Sequence, residues 1–325
     1  MKVFVTGGTG LIGSRVVALL ANGGHTPRCL LRAGSRTHRI DHVAYEPVYG
    51  DMTDAASLRT GMAGCDAVIH LASPSSWDEI GTDAVEPVII GGTKALVEAA
   101  AAVDGIRLVY VSSAAAVNGS AKPVVYDETA EFALVGSGLR YAEAKHVAER
   151  AVLESGLNAV AVCPGETYAP GDDEWITAGT IRDALHGWPV LAIPGGTSVA
   201  HADDVAEAIV AALTKGRAGE RYILGGDNLT VKEIMRTALD AAGLRKPIVT
   251  VPAPVVRAIA KACVALRITP PLAPDLIGYA ARYWFSTSDK AIAELGYRPR
   301  PARETIAAVV AWMRERADAP VEPGR

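Results

Sequence analysis

Residues 2–13 read KVFVTGGTGLIG, and this stretch decides the fold. The apolar, β-branched run Lys2–Thr6 predicts a strand, and Leu11–Ala21 beyond the glycines predicts a helix. A strand that turns through glycines into a helix is the arrangement that places a pyrophosphate on a helix N-terminus. The sequence therefore predicts a dinucleotide-binding site at the start of the chain.

The three spaced glycines of this turn have separate expected roles. Gly7 allows the tight bend, Gly10 lets the backbone approach a phosphate, and Gly13 lets the helix pack on the strand. An isolated glycine triplet is often only a turn, but this one follows a predicted strand and opens a predicted helix. The residues of the turn expected to contact the cofactor are Gly7, Thr9, Gly10, Leu11, Ile12 and Gly13.

Strand-like and alanine-rich helical runs alternate through the first half of the chain. Strands are predicted at 2–6, 27–31, 43–49, 67–72, 107–112 and 158–163, and helices at 11–21, 55–62, 93–103 and 141–154. Strands that are apolar throughout imply burial on both faces, and alternation with helices implies a parallel sheet. We therefore expect an α/β fold with a doubly wound parallel sheet of the Rossmann type, whose ligands bind beyond the C-terminal strand ends.

The composition changes after Pro164. Residues 164–196 are rich in glycine, proline and tryptophan, which suggests loops around a pocket. A helix is expected at 205–213, a strand at 221–224 is expected to return to the main sheet, and the remainder is expected to be mostly helical. The expected division is a Rossmann domain of 1–165 plus 199–228 and a smaller substrate lobe of 166–198 plus 229–325.

The substrate pocket is expected between these two parts. The segments predicted to form it are 73–77, 133–139, 166–188 and parts of 252–285. Four tryptophans in these segments either make the pocket apolar, which would suit a hydrophobic substrate, or belong to the core of the lobe. They are Trp77, Trp175, Trp188 and Trp284.

The end of the second strand bears on the choice between NAD and NADP. An acidic residue there binds the ribose hydroxyls of NAD, whereas an arginine accommodates the 2′-phosphate of NADP. Residues 30–36 read LLRAGSR and contain no carboxylate. Arg32 can stack on adenine or pair with phosphate, and Arg36 can add a second charge. NADP(H) is favoured, NAD(H) stays possible, and a solvated surface role is the alternative for Arg32.

Other strand ends are also expected to contact the cofactor. Asp51 can accept a hydrogen bond from the adenine amino group, with Met52 packing on the ring. The remaining expected contacts are Leu71, Ala72, Ser73, Tyr141, Lys145, Pro164 and Thr167. His70 has no nearby carboxylate or second histidine in the sequence, so we interpret it as a packed or cofactor-side histidine and not as a catalytic one.

Tyr141 and Lys145 are the expected reacting groups. They stand four residues apart in a predicted helix and so lie on one face, about one turn apart. A phenol titrates near pH 10, and a nearby ammonium favours the phenolate, so we expect Lys145 to bring the pKa of Tyr141 toward the working range and to hold the nicotinamide ribose. A serine of the pair 112–113, at the end of the fifth strand, can fix a substrate carbonyl. The alternative is that Tyr141 and Lys145 are exposed helix residues without a role.

These motifs together resemble the extended short-chain dehydrogenase/reductases, also called the NAD-dependent epimerase/dehydratase family, over nearly the whole chain. Within that family the chain is most similar to the dihydroflavonol-reductase-like branch and to the hopanoid-associated sugar epimerase proteins, the latter through residues 221–230 and 295–301. The resemblance implies that Tyr141 is the acid/base, Lys145 its electrostatic partner and Ser113 the donor to the substrate carbonyl.

Two departures from the family pattern bear on the reaction. Ala114 and Ala115 stand where sugar-nucleotide dehydratases of the family carry an Asp-Glu pair, and residues 163–168 lack the asparagine with which its epimerases hold a sugar diphosphate. The leading hypothesis is therefore an NADPH-dependent reductase for the carbonyl of a small, hydrophobic substrate. The alternative is an NAD(P)-dependent sugar or nucleotide-sugar epimerase. A cofactor-sensing binding module is disfavoured, because such proteins typically lose the tyrosine or the lysine.

The composition of the chain argues against several classes of binding partner. The net charge of −4 and the lack of a basic tract argue against nucleic acid. The four cysteines are widely spaced, which suits reduced thiols in a cytoplasmic protein and predicts neither disulfides nor a metal site. No signal peptide is expected, and no apolar run approaches the ~20 residues of a membrane helix.

Two further expectations concern surfaces. Residues 255–268 are apolar but include Arg257, Lys261 and Arg267. They predict an amphipathic helix that covers a pocket, and the alternative is a helix that lies on a membrane surface. The helices at 93–103 and 141–154 correspond to the pair that commonly forms a four-helix dimer interface in the resembling family, so we expect a homodimer.

Overall fold

The computed structural model describes residues 1–74, 80, 82, 85–269 and 276–318. The strands are Lys2–Thr6 (β1), Thr26–Leu31 (β2), Glu46–Tyr49 (β3), Ala67–His70 (β4), Arg107–Val111 (β5), Asn158–Pro164 (β6), Glu166–Tyr168 (β7), Val190–Ala192 (β8), Gly196–His201 (β9), Arg221–Leu224 (β10), Asp227–Thr230 (β11), Ile248–Thr250 (β12) and Tyr283–Trp284 (β13). The α-helices are Leu11–Asn22 (α1), Ala55–Met62 (α2), Gly92–Ala101 (α3), Arg140–Leu153 (α4), Ala178–His186 (α5), Ala202–Lys215 (α6), Val231–Ala241 (α7), Ala253–Ala265 (α8), Ile277–Ala280 (α9), Asp289–Leu295 (α10) and Ala302–Asp318 (α11).

The predicted doubly wound sheet is confirmed. Seven strands pair in the order β10-β6-β5-β4-β1-β2-β3, and every pairing is parallel. The chain winds outward in both directions from β1, so the strand order reverses between β1 and β4. Ligands of open parallel sheets bind beyond the strand ends at such a point.

Successive residues of β1 show why both faces of this sheet are covered. Val3 and Val5 point to one face and pack in a core cluster with α1 and α6, while Phe4 points to the other and packs with α2, α3 and α4. All three side chains are completely buried. Because helices cover both faces of the sheet, the carboxyl ends of the strands are left as its open edge.

A second sheet was not predicted. It has the order β11-β9-β13, with β7 also paired to β9, where the sequence suggests loops and helices. These strands are two to six residues long and several are polar, so no apolar alternation marks them in the sequence. β9 runs across the expected boundary, between residues 198 and 199, of the substrate lobe and the Rossmann domain. The limits of these two domains stay a prediction. β10 does return to the main sheet beside β6, as expected.

Some predicted element ends differ by a few residues from the structure. β3 begins at Glu46 and not at residue 43, because the N–H of Val43 donates to the carbonyl of Ile40 in a turn. A π-helical turn, Pro87–Gly91, leads into α3, which ends at Ala101. Within the described residues, every helix is too short or too polar to cross a bilayer.

Candidate active site

The glycine turn between β1 and α1 packs directly on the end of β4. Gly7 has φ +72°, and a Cβ there would lie 2.6 Å from the backbone nitrogen of Ala72. A Cβ on Gly13 would lie 2.0 Å from the carbonyl oxygen of Gly7. The turn is closed by the N–H of Gly10, which donates to the same carbonyl at 3.1 Å. Side chains at positions 7 and 13 would therefore force the strand and helix apart.

The N-terminus of α1 fits an anionic group. The helix begins after Gly10 with no side-chain cap and with no acidic residue in its first turn. The first N–H groups of a helix carry a partial positive charge and lack partners within the helix, so a phosphate there satisfies both. The residues present therefore fit the pyrophosphate of a dinucleotide.

His70 is a structural part of this edge. It is 1% exposed, and its Nδ1 lies 2.6 Å from the hydroxyl oxygen of Thr6, which also accepts from the N–H of Ala72 at 3.2 Å. Burial, together with the charge of Lys145, lowers the pKa of His70 to about 3. The ring is therefore neutral at physiological pH and ties the end of β4 to β1, which agrees with the packed interpretation.

Arg32 and Arg36 stand exposed at the end of β2. The backbone N–H of Arg32 donates to the hydroxyl of Ser35 at 2.9 Å, which orders the loop without using the guanidinium. The hydroxyl and N–H of Thr53 donate to Asp51 at 2.7 and 2.8 Å and lower its pKa, and the charge of Arg32 adds to the effect. Arg32 and Asp51 thus face the same side of the sheet edge.

The remaining expected cofactor contacts lie around the same edge. Met52 is half-buried with its methyl group toward Gly92 of α3. Ser73 donates to the carbonyl of the next residue at 3.0 Å, and Pro164 ends β6. Thr167 is 8% exposed and donates to the carbonyl two residues before it, so its hydroxyl is already satisfied within β7 and the preceding turn.

Two arginines that the sequence analysis missed connect the glycine turn to the loop at 170–173. Arg39 donates to the carbonyl of Thr9 at 3.4 Å and to a carbonyl of this loop at 2.6 Å. Arg15 donates to the carbonyl of Leu11 at 2.7 Å and to another carbonyl of the loop at 3.0 Å. No periodicity or motif marks these arginines, because their partners are backbone atoms far away in the sequence.

The structure brings Ser113, Tyr141 and Lys145 together. The hydroxyl of Ser113 accepts from the N–H of Ala115 at 3.2 Å and is hydrogen-bonded to the phenol of Tyr141. Lys145 is 2% exposed, and its Nζ donates to the carbonyl of Val111 at 3.0 Å and lies 5.9 Å from the centroid of the Tyr141 ring. The end of β5 and one face of α4 therefore form a single constellation at the open edge of the sheet.

Burial controls the charge of this constellation. It raises the pKa of Tyr141, while the hydrogen bond with Ser113 acts in the opposite direction. Burial also lowers the pKa of Lys145 to about 8, against the opposing effects of Cys163 and Glu149. The sequence predicts that the ammonium lowers the pKa of the phenol, but removal from water disfavours the charged form of both groups, and the pKa of the phenol is raised. At neutral pH Tyr141 therefore carries its proton.

A buried ion pair lies one turn beyond Lys145 on α4. Glu149 is 1% exposed, accepts from the thiol of Cys163 at 3.2 Å and pairs with Arg221 of β10 at 3.2 Å. A buried carboxylate is costly unless it is paired and hydrogen-bonded, and here both conditions are met. The pair fixes α4, and with it the reacting groups, to the far strand of the sheet.

The surroundings of Tyr141 are apolar. Its ring packs in a cluster with Ala115, Phe132, Leu134, Leu139, Ala142, Tyr279 and Trp284. The hydroxyl of Tyr279 accepts from the N–H of Ala142 at 3.0 Å, at the start of a helix that has no side-chain cap of its own. Trp284 stacks on Tyr279 with 5.7 Å between ring centroids. The segment 276–285 thus forms an aromatic wall beside the phenol.

The four tryptophans expected near the pocket have different environments. Trp284 belongs to the wall beside Tyr141. Trp175 packs against Trp312, with 5.6 Å between centroids, in the core cluster of α5, α7 and α11. Trp188 is 72% exposed. Trp77, like parts of the expected pocket segments 73–77 and 252–285, lies outside the described residues.

Comparison with known proteins identifies the family of the chain. The model of the NAD dependent epimerase/dehydratase family matches residues 3–225, from β1 to the end of the main sheet. The solved structure of gox2253 superposes with a TM-score of 0.82 at 30% identity, covering 97% of this chain and 98% of its own.

Two relatives carry descriptive names. Sterol demethylase protein B of Methylococcus capsulatus is 29% identical, over 97% of this chain and 99% of the relative. The 4-hydroxy-2-methyl-3-oxo-4-farnesyl-3,4-dihydroquinoline-1-oxide ketoreductase of Stigmatella aurantiaca is 28% identical, over 92% of each chain.

Proposed function

Because this chain belongs to the NAD dependent epimerase/dehydratase family and is an NAD(P)-dependent enzyme, we propose that it reduces a ketone or aldehyde carbonyl of a small, hydrophobic substrate with NADPH. The observation that carries this proposal is the position of Tyr141 beside Ser113 and Lys145 in an apolar cluster. Burial raises the pKa of its phenol, which is hydrogen-bonded to Ser113 within an apolar cluster. A phenol that carries its proton beside Ser113 can give that proton to a bound carbonyl, as carbonyl reduction requires.

Each residue of the constellation has a distinct role in this reaction. When bound, the nicotinamide supplies the hydride that reaches the carbonyl carbon. The hydroxyl of Ser113, which is hydrogen-bonded to the phenol of Tyr141, would turn its proton to the carbonyl oxygen when a substrate is bound. Tyr141 gives its proton to that oxygen as negative charge develops there. Lys145, held by the carbonyl of Val111, stabilises the phenolate that remains.

The apolar wall supports a hydrophobic substrate. Ala115 follows the serine and packs within the same cluster as Tyr141, so the position next to the acid is apolar. The names of the two relatives, a ketoreductase of a farnesylated quinoline oxide and a sterol demethylase protein, refer to compounds with a farnesyl chain or a sterol skeleton, both of which are hydrophobic. The exposed Arg32 and Arg36 at the end of β2, with no carboxylate at 30–36, support NADPH over NADH.

The test is a screen of the full-length enzyme with NADPH against hydrophobic ketones, aldehydes and nucleotide sugars. Consumption of NADPH is followed by the loss of dihydronicotinamide absorbance. We expect turnover with an apolar carbonyl compound, and a fall in kcat of about 10²- to 10⁴-fold in Tyr141→Phe with little change in cofactor affinity. Tyr49→Phe, which changes a phenol that is 74% exposed, is the matched control.

Two outcomes would contradict the proposal. If the purified protein retains its cofactor, consumes no NADPH and interconverts a nucleotide sugar with its epimer, the enzyme is an epimerase. If Tyr141→Phe keeps full reductase activity, the proton comes from another group and the assignment of Tyr141 is wrong.

A further inference from the structure

The ammonium of Lys145 is held where little water reaches it. The residue is 2% exposed, and its Nζ donates to the carbonyl of Val111 at 3.0 Å and lies 5.4 Å from the centroid of the Tyr110 ring. An ammonium has three N–H donors, and a buried charge is costly unless hydrogen bonds and an opposite charge compensate it. Lys145 therefore needs a negative charge nearby if it is to stay protonated.

Glu149 stands one turn further along α4. Residues four apart on a helix lie on one face, with Cβ atoms about 5–6 Å from each other. Both side chains belong to the face that packs on the main sheet, since Lys145 contacts the end of β5 and Glu149 accepts from the thiol of Cys163 in β6 at 3.2 Å. The carboxylate and the ammonium are thus neighbours in the buried layer between helix and sheet.

Glu149 keeps its charge although it is 1% exposed. Its carboxylate pairs with the guanidinium of Arg221 at 3.2 Å and accepts from the thiol of Cys163. Arg221 also donates to two backbone carbonyls at 2.9 and 2.7 Å, which fixes the guanidinium in this position. A cation and a hydrogen-bond donor both favour a carboxylate over a carboxylic acid, so the negative charge is built into this layer.

The other buried titratable groups around Lys145 carry no charge near pH 7. They are His70, Tyr110, Tyr141 and Cys163. Burial raises the pKa of both phenols and of the thiol, and it lowers the pKa of the imidazole. Glu128 accepts with its carboxylate from the N–H of Ile223 and so is engaged with β10. Within the described part of the chain, Glu149 is therefore the anion that faces this ammonium.

We propose that Glu149 is a positioning residue of the active site, whose carboxylate supplies the counter-charge that keeps Lys145 an ammonium inside the protein. Arg221 holds the carboxylate in place for this role. Burial lowers the pKa of Lys145 to about 8, and the charge of Glu149 opposes this fall. Without the carboxylate, the lysine would lose its proton near neutral pH.

The consequence for the reaction rests on the proposed function. In that reaction Lys145 stabilises the phenolate that remains after proton transfer, and only the charged form of the lysine can do this. The rate should therefore fall as the pH rises through the pKa of Lys145. Loss of the carboxylate should move this fall to lower pH, so that Glu149 sets the upper pH limit of the enzyme.

The test follows the charge of Lys145 directly and needs neither substrate nor cofactor. The full-length protein is labelled isotopically at lysine Cε, and the resonance of Lys145, identified by its loss in Lys145→Met, is followed by NMR from about pH 6 to 11. Glu149→Gln keeps the shape of the side chain but not its charge, and it should lower the midpoint of the titration by about one pH unit or more. Glu149→Asp keeps the charge on a shorter side chain and should stay within about 0.5 of the wild-type midpoint.

Glu154→Gln is the matched control, because it removes a carboxylate of the same helix that pairs with Arg150 and is 58% exposed. Thermal melting checks that each variant folds. If Glu149→Gln does not fold because Arg221 is left unpaired, Glu149→Gln with Arg221→Gln takes its place, and its midpoint should also lie below that of the wild type.

The role of Glu149 is overturned if the Gln variant titrates like the wild type. It is also overturned if the Asp variant shifts the midpoint as far as the Gln variant does, which is the result expected when packing alone matters. Turnover of a carbonyl compound is measured separately, so a lack of NADPH oxidation in the wild type would contradict the proposed function and not the role of Glu149.

Discussion

Tyr141, Lys145 and His70 lie close together at the open edge of the sheet, and burial decides the charge of each one. It raises the pKa of the phenol, lowers that of the ammonium to about 8 and lowers that of the imidazole to about 3. The common cause is desolvation, which disfavours the charged form whatever its sign. These residues are therefore held nearer to their neutral forms than their types alone would suggest.

His70 should make the fold sensitive to acid. Its pKa is about 3 in the folded protein against an ordinary value near 6.5, so between these values the unfolded chain binds a proton that the folded one does not. Stability therefore rises with pH across this window and is lost as the pH falls from about 6.5 toward 3. In denaturant titrations at several pH values, His70→Gln should reduce the slope of unfolding free energy by up to about 1.4 kcal/mol per pH unit. The exposed His42→Gln should keep the wild-type slope, and an unchanged slope in His70→Gln would show that the buried imidazole does not titrate in this way.

Arg32 should discriminate between the two nicotinamide cofactors. A guanidinium that pairs with the 2′-phosphate contributes to NADPH binding only, so Arg32→Ala should raise the Kd of NADPH about tenfold, or about 1.4 kcal/mol, and leave that of NADH nearly unchanged. Fluorescence titration with each cofactor measures this. Arg303→Ala, which removes an arginine that is 81% exposed, is the control. An equal loss for both cofactors would argue against a phosphate contact.

The link between β1 and α1 depends on glycines at places where two backbone segments meet. At Gly13 a Cβ would stand 2.0 Å from the carbonyl oxygen of Gly7, and backbone atoms cannot move aside as a flexible side chain can. At Gly179 in α5 the nearest atom to such a Cβ is 4.0 Å away. The same substitution therefore has opposite consequences in the two helices.

Gly13→Ala should cost about 3 kcal/mol of stability or more and should abolish cofactor binding, because α1 must shift away from the turn. Gly179→Ala should stabilise the protein by about 0.5–1 kcal/mol, since it removes backbone entropy from the unfolded chain without a clash. Urea unfolding and NADPH titration of both variants measure these effects. A Gly13→Ala protein that binds NADPH normally would mean that the close approach in the turn is not needed.

The assembly of the molecule is expected to use α3 and α4, which follow one another in space on one face of the main sheet. Val147 of α4 is 45% exposed on a helix whose inner face carries the reacting groups. A homodimer through these helices would place this valine in or near an apolar interface, where a charge is unfavourable. In such a dimer the two copies of α4, which carry the reacting groups of the two active sites, would lie in the interface.

Val147→Glu should therefore convert a homodimer to a monomer. Sedimentation velocity at micromolar concentration measures this, and Val125→Glu, which adds the same charge at a side chain that is 53% exposed elsewhere, is the control. A wild-type protein that sediments only as a monomer would refute the dimer.

Much of the fold and of the candidate site could be read from short spacings. The strand, glycine turn and helix of residues 2–22, the alternation that gives the seven-stranded sheet, and the four-residue step from Tyr141 to Lys145 are local patterns. Backbone geometry fixes the periods of strands and helices, so these patterns need no knowledge of distant residues.

The other features of the fold and the site depend on contacts between residues that are far apart in the sequence. The second sheet, the arginines that hold the loop at 170–173 and the pairing of Glu149 with Arg221 join residues far apart in the chain, and no local period encodes them. The upward shift in the pKa of Tyr141 and the exposure of the apolar side chains of α8 depend on how much water each side chain keeps. Burial is set by the packing of all elements together, so it could be known only once the chain was folded.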